Sequence, residues 1–174
     1  MELKNEDGLT EKEFLAQYRP GNYERPSVTV DMLIFAVDPE AEDEDPELLL
    51  IRRRNHPCIG QWAMPGGFVN MDESLEEAAA RELEEETGIT GRVLRHLATI
   101  DYWFAGHEHR VHKVVHHFLL EAVSGTLTTE NDPDHEAEDV EWVALDDVSH
   151  RLAYPNERRI VRSALDLLYR DNRG

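Results

Sequence analysis

Three glutamates, Glu82, Glu85 and Glu86, are the residues best spaced to do chemistry, in a stretch from Leu75 to Thr87 that contains neither Gly nor Pro. On a helix at about 100° per residue, Glu85 and Glu86 lie within about 60° of Glu82, and Leu75, Ala78 and Ala79 occupy the same sector one or two turns earlier. The carboxylates therefore continue an apolar stripe, whereas Glu77 and Glu84 fall on the opposite, solvated side. Carboxylates at i, i+3 and i+4 repel one another, and helix packing alone gives no reason to gather them at the rim of a buried face. A hard divalent cation gives one. Mg²⁺ and Mn²⁺ take oxygen ligands, and Mg²⁺ is commonly held by one or two carboxylates while substrate phosphates complete its shell. The competing reading is a charged surface helix with ion pairs to Arg81.

The elements that must position this stripe are legible around it. Ser74 with Glu77 three residues later has the spacing of a capping box, and Gly88 is placed to end the helix in the left-handed conformation. Asn55 to Gly67 contains Pro57, Gly60, Pro65, Gly66 and Gly67 and predicts loop and turn for most of its length. Upstream, Thr10 and Glu13 open a short helix to Tyr18, and Pro20, Gly21 and Pro26 prevent its continuation. Ser27 to Val37 and Leu48 to Ile51 predict buried strands separated by an acidic loop, Asp38 to Glu47. Val93 to Trp103, His112 to Ala122 and Asp139 to Ala144 also predict strands, and Asn156 to Tyr169 a last helix with Ile160, Ala164, Leu167 and Leu168 at helical spacing. Strands and helices mix without regular βαβ alternation, so the expected class is α+β, with residues 1–174 forming one domain and residues 1–25 a helical N-terminal extension.

Composition narrows the function. A formal net charge of -19 argues against broad binding to a nucleic-acid backbone or an anionic membrane. An anionic ligand would need metal ions or a few well-placed arginines. The acidity also suits a solvated surface in a salt-rich cytoplasm. Met1 to Asp7 lacks the basic start and apolar run of a secretory signal, and no apolar stretch is long enough to span a bilayer, so a cytoplasmic location is expected. The single cysteine, Cys58, cannot form an internal disulfide and reads as packing rather than nucleophile. Homodimer formation is left open.

The segment Gly67 to Ile89, GFVNMDESLEEAAARELEEETGI, resembles the Nudix box, the signature of the Nudix hydrolase family, at every fixed position: Gly67, Glu73, Arg81, Glu82, Leu83, Glu85, Glu86, Gly88 and Ile89. The resemblance extends over roughly residues 27–170. It implies an α/β/α sandwich with a mixed sheet, and a metal-dependent cleavage of the diphosphate linkage of a nucleoside diphosphate derivative by water attack on phosphorus. It implies that Glu82, Glu85 and Glu86 ligate Mg²⁺, or Mn²⁺ as a substitute, with the Gly66 carbonyl joining them and Glu82 a candidate base. Arg81 and Glu73 would support loop and helix. It further implies a phosphate-contacting arginine at Arg52 or Arg53, and an extra metal ligand or base at Glu136 or Glu138. Asn156 stands where MutT-type members recognise a purine; a helix N-cap is the alternative.

Substrate class is less defined. Residues Arg25 to Asp31 together with Pro65 to Val69 resemble the ADP-ribose and nucleotide-sugar pyrophosphatase groups. Ala105 stands where some ADP-ribose enzymes carry a proline, and the Asn156 region leans toward a nucleoside triphosphate. The alternative class is a nucleotide-sensing Nudix regulator that binds without cutting. The complete box weighs against it, as does the expectation that no residues are left for an added DNA-binding module. Zinc binding by His107, His109, His112, His116 and His117 is disfavoured, because His112 and His116 on one strand would sit roughly 13 Å apart. Trp62, Trp103, Phe104 and Trp142 are candidates for a base-stacking wall or for core.

Overall fold

The strand Ser27–Ala36 (β1) organises the molecule, because alternate residues of it feed two separate cores. The computed structural model describes residues 4, 7–17, 26–36, 46–55, 58–105 and 110–171. Among them the remaining strands are Glu47–Arg53 (β2), Trp62–Ala63 (β3), Gly66–Phe68 (β4), Ile89–Ala105 (β5), Arg110–Gly125 (β6) and Ala137–Ala144 (β7), and the helices are Glu11–Gln17 (α1), Leu75–Thr87 (α2), Leu145–Arg151 (α3) and Pro155–Asp171 (α4). The central order is β3-β2-β1-β6-β5, with β4 on β1 and β7 on β2. The β1–β6 pair is parallel and the other pairs antiparallel, so the sheet is mixed.

One side of the sheet packs Val30, Met32, Ile34 and Phe118 against Ala78, Ala79 and Leu83 of α2. The other packs Leu33, Leu50 and Val143 against Val148 of α3 and Ile160, Val161 and Ala164 of α4. The result is the expected α/β/α sandwich. Each fully buried Leu or Ile here contributes about 1.5–3 kcal/mol through removal of its apolar surface from water.

The capping boxes form as the spacing requires. Ser74 Oγ accepts from Glu77 N at 3.1 Å while Glu77 Oε2 accepts from Ser74 N at 2.8 Å. Thr10 and Glu13 make the same reciprocal pair. Gly88 ends α2 at φ 78°, where an added Cβ would strike the Thr126 carbonyl.

Several expectations need correction. The stretch Asn55 to Gly67 is loop and turn for most of its described length, as its turn residues require; what was not expected there is the short strand β3 and the start of β4, laid alongside β2 and β1. The β5–β6 hairpin is longer than its apolar runs; β5 starts at Ile89 and its register shifts at three places, which breaks strict alternation. Helix α3 was not expected: seven residues are too few for a period, no side chain caps Ala144, and buried Val148 anchors it. Tyr18, Pro20, Gly21, Val37, the loop from Asp38 to Asp45, His107 and His109 lie outside the described residues.

Candidate active site

Among the described residues, β1 and β2 pair only through Phe35↔Leu48 and Ala36↔Glu47. From there β1 turns its edge to β4, through Thr29↔Phe68 to Asp31↔Gly66, while β2 takes β3 and β7. The divergence opens a cavity of about 440 Å³ lined by residues of β1, β2, β4, β5, β6, α2 and α4. Gly66, Glu86, Arg53, Glu136 and Asn156 all line it, so five residues singled out in the sequence meet here.

The glycines let the helix carboxylates reach the strand. A Cβ on Gly67 would overlap the Glu82 carboxyl, and one on Gly66 would overlap Asp31 and the Val30 carbonyl. Gly66 N donates to Glu86 Oε2 at 3.0 Å. Helix phase is as expected: Glu82 is 9% and Glu86 2% exposed, while Glu77 and Glu84 face solvent. Glu85 is half-buried.

Arg81 organises this cluster. Its Nη1 reaches Glu82 Oε1 at 2.9 Å and Glu85 Oε2 at 3.0 Å, and its Nη2 reaches Glu73 Oε1 at 2.6 Å and the Phe68 carbonyl at 3.0 Å. Burial pushes Glu82 up to about 7 despite Arg81, with repulsion from Glu85 and Glu136 adding to it. Burial likewise raises Glu86 well above the carboxylate range, with Glu136, Glu82 and Asp132 adding to it. Oxygen-only donors, buried and mutually repelling, suit a hard divalent cation. No three His, Cys, Asp or Glu side chains converge into a ready-made cluster among the described residues. Mg²⁺ does not require one, because it keeps water and phosphate in its shell and is satisfied by one or two carboxylates.

The two arginines separate by strand alternation. Arg53 faces the cavity. Arg52 points away, with Nε 3.4 Å from Glu138 Oε2 and its guanidinium 5.9 Å from the Trp62 ring centroid. The β2–β7 register shifts there, from Arg52↔Asp139 to Arg53↔Ala137, which turns Glu138 outward and leaves Glu136 on the cavity side. Glu136 is held on a loop built by Asp132: Asp132 Oδ2 accepts from Glu136 N at 2.7 Å and Ala137 N at 3.3 Å, and Oδ1 from Asp134 N at 3.0 Å. Burial raises the Glu136 carboxyl, helped by the charges of Asp132 and Asp134.

Helix α4 begins at Pro155, a favoured first helical residue, so Asn156 lies inside its first turn rather than at the N-cap. Asn156 is exposed at the cavity rim. Trp62 and Trp142 pack on the cores, whereas Trp103 is 47% exposed and stacks on His112 at 4.4 Å. Phe104 is similarly exposed beside Tyr102. Half-buried Cys58 shares a hydrogen bond with Tyr154, whose hydroxyl burial pushes up to about 12.

The inner wall also holds Asp31, Lys113, His117, Tyr154 and Glu157, none of which the sequence marks individually as part of this site; His117 enters there only as a disfavoured zinc ligand. Burial pushes Asp31 up to about 6 against the opposing charges of Lys113 and Arg53, and Glu157 up to about 8 with Asp31 adding to it. His117 Nε2 stands 3.7 Å from Asp31 Oδ2, but burial pulls His117 down to about 4, so near neutral pH this is not an ion pair. The available signal was a charge inside the apolar run Val28 to Phe35.

A family model described as NUDIX domain matches residues 26–164. The chain belongs to the Nudix hydrolase family. The ADP-ribose pyrophosphatase of Methanocaldococcus jannaschii is 34% identical over 152 residues, 87% of this chain and 80% of that protein. MutT4 of Mycobacterium tuberculosis is 44% identical over 107 residues, 62% of this chain, and the ADPR responsive transcriptional repressor NtrR of Acinetobacter baylyi is 44% identical over 93 residues, 52% of this chain. These matches span only 42% and 36% of the length of MutT4 and NtrR. The NUDIX domain of Shewanella oneidensis NrtR, solved with ADP ribose, superposes with a TM-score of 0.75 at 26% identity, covering 92% of this chain and 99% of that one. The mixed sheet between helices is therefore the Nudix fold. No helix among the described residues is long and apolar enough to cross a membrane.

Proposed function

We propose that this Nudix chain is a pyrophosphohydrolase dependent on Mg²⁺, or Mn²⁺ in its place, that cleaves the diphosphate of an ADP-ribose-like nucleoside diphosphate derivative. The observation that carries it is the convergence of Glu82 and Glu86 on the Gly66-Gly67 strand at the edge of a cavity that also holds Arg53, Lys113 and Glu136. The alignment with an ADP-ribose pyrophosphatase over most of both chains supports the substrate class.

Glu82 and Glu86, with Glu85 and the Gly66 carbonyl, are the groups that would hold the cation. When bound, it neutralises diphosphate charge and acidifies a coordinated water. Arg53 and Lys113 are the cavity's own cations and attract and orient the phosphates. Glu136 is the base that accepts the water proton, its affinity for that proton increased by burial. The water oxygen bonds to phosphorus as the bridging P–O bond breaks, and the leaving phosphate ester carries the electron pair away. From ADP-ribose the products are AMP and ribose 5-phosphate. Arg81 keeps the glutamates in place through four hydrogen-bonded partners.

The test is incubation with Mg²⁺ and a panel of ADP-ribose, nucleotide sugars, dinucleoside polyphosphates and nucleoside triphosphates, with products identified by mass. Mg²⁺-dependent release of AMP from ADP-ribose is expected. The second reading, a sensor that binds without cutting, is favoured by the match to an ADPR-responsive repressor. Tight ADP-ribose binding without turnover in Mg²⁺ or Mn²⁺ would establish it instead.

A further inference from the structure

The inner end of the cavity poses a separate chemical problem. Glu157 is 7% exposed; its Oε1 accepts from Met64 N at 3.3 Å, but its Oε2 is buried with no hydrogen-bond partner. Thr29 Oγ1, on the same wall and 3% exposed, also has none. Asp31 is close enough for its charge to bear on Glu157. Buried polar atoms without partners are costly, and in a cavity wall they are natural contacts for a ligand.

The chemistry of that ligand is constrained. A carboxyl offers acceptor lone pairs in several directions and, when protonated, one O–H donor, so the pair matches hydroxyl groups, which both donate and accept, and lacks the cationic donors that a phosphate takes. Asp31 pairs in register with Gly66, and Glu157 binds the backbone of Met64, two residues before Gly66. Both carboxyls therefore lie within one building block of the Gly66 and Glu86 end that would hold the phosphates. In a nucleoside diphosphate derivative the group esterified directly to phosphate is the sugar, and the base lies one unit further out. Exposed Asn156 and Tyr102 occupy the rim, the place left for that outer unit.

We propose that Asp31 and Glu157, with Thr29 beside them, form a subsite for the vicinal hydroxyls of a ribose. This rests on the hydrolase reading above and deepens it, by making the sugar rather than the base the main discriminator.

The experiment compares wild-type protein acting on ADP-ribose, on analogues lacking the 2- or 3-hydroxyl of either ribose, and on the analogue with hypoxanthine in place of adenine. Removal of one particular ribose hydroxyl is expected to lower kcat/KM at least about tenfold, because the buried carboxyl is left unpaired. The base change is expected to cost less than about threefold. In Glu157→Met the deoxy penalty should shrink to less than about threefold, with Asp31→Asn as a second variant and thermal melting to check folding. Equal turnover of all deoxy analogues by the wild type overturns the proposal, and so does a base penalty that Glu157→Met abolishes. If the wild type cuts nothing, the hydrolase reading fails by itself. Calorimetric titration with ADP-ribose and the same deoxy analogues then decides the subsite: at least about tenfold weaker binding of one deoxy analogue supports it, and equal binding or none overturns it.

Discussion

Arg81 grips Glu73 with two parallel hydrogen bonds, Nε to Oε2 at 2.9 Å and Nη2 to Oε1 at 2.6 Å, while its other terminal nitrogen serves Glu82 and Glu85. Glu73 thus fixes the plane of a guanidinium that fixes two candidate metal ligands, and it also accepts from Asn70 N at 2.8 Å. Glu73→Gln should raise the Mg²⁺ concentration for half-maximal rate about 10–100-fold, with most of kcat recovered at saturating metal. A kcat that stays low at saturation with unchanged Mg²⁺ dependence would show that Glu73 acts on the chemistry instead.

Glu86→Gln and Glu84→Gln form a matched pair on one helix. Glu86 is buried against Gly66, and Glu84 faces solvent. Losing a metal-holding carboxylate should lower kcat about 100-fold or more. Glu84→Gln should stay within about twofold of wild type. The metal-free Glu86→Gln protein should melt no lower than wild type, because the substitution removes a carboxyl that burial disfavours as an anion. Undiminished turnover in Glu86→Gln would refute its metal role.

The box was legible because its signals are local. Ser74 and Glu77, Gly88, and the stripe running from Ala78 to Glu86 all repeat at helical spacing within one short segment. The opposite wall comes from elements far apart in sequence: Asp31 on β1, Lys113 on β6 and Glu157 on α4 meet only through the parallel β1–β6 pairing and the packing of α4. No short-range period announces such a meeting. The Arg52-Arg53 ambiguity has a similar origin. Strand alternation sends one of them to the cavity, and only the pairing partners decide which.

Glu136 should set the acid limb of the rate profile. A general base works only when deprotonated, so kcat should fall as pH drops through a Glu136 pKa that burial and Asp132 hold above the usual carboxylate value. Glu136→Gln should cost about 100-fold or more and abolish that limb. Asp132→Asn leaves only one acceptor oxygen where Asp132 receives three N–H groups, so Glu136 is less well held. It should lower kcat about tenfold with little change in KM, and move the limb to lower pH because a neighbouring negative charge is gone. A limb unmoved in both variants would assign the base elsewhere, with Glu82 the next candidate.

Glu157 should make stability depend on pH. Its folded carboxyl is pushed up to about 8, chiefly by burial and next by Asp31, against the lowering effects of the Met64 hydrogen bond and Arg53. The folded state therefore holds this proton more tightly than the unfolded state. The stability that this proton contributes is fully present below the ordinary carboxylate pKa and is lost as pH rises through about 8. Glu157→Gln keeps an acceptor for Met64 N–H but cannot ionise. Its melting temperature should match wild type near pH 5 and exceed it by several degrees near pH 9, at about 2–4 °C per kcal/mol for a chain of this size. Thermal melts of both proteins across that range measure the gap; parallel curves would mean that Glu157 does not titrate between these limits.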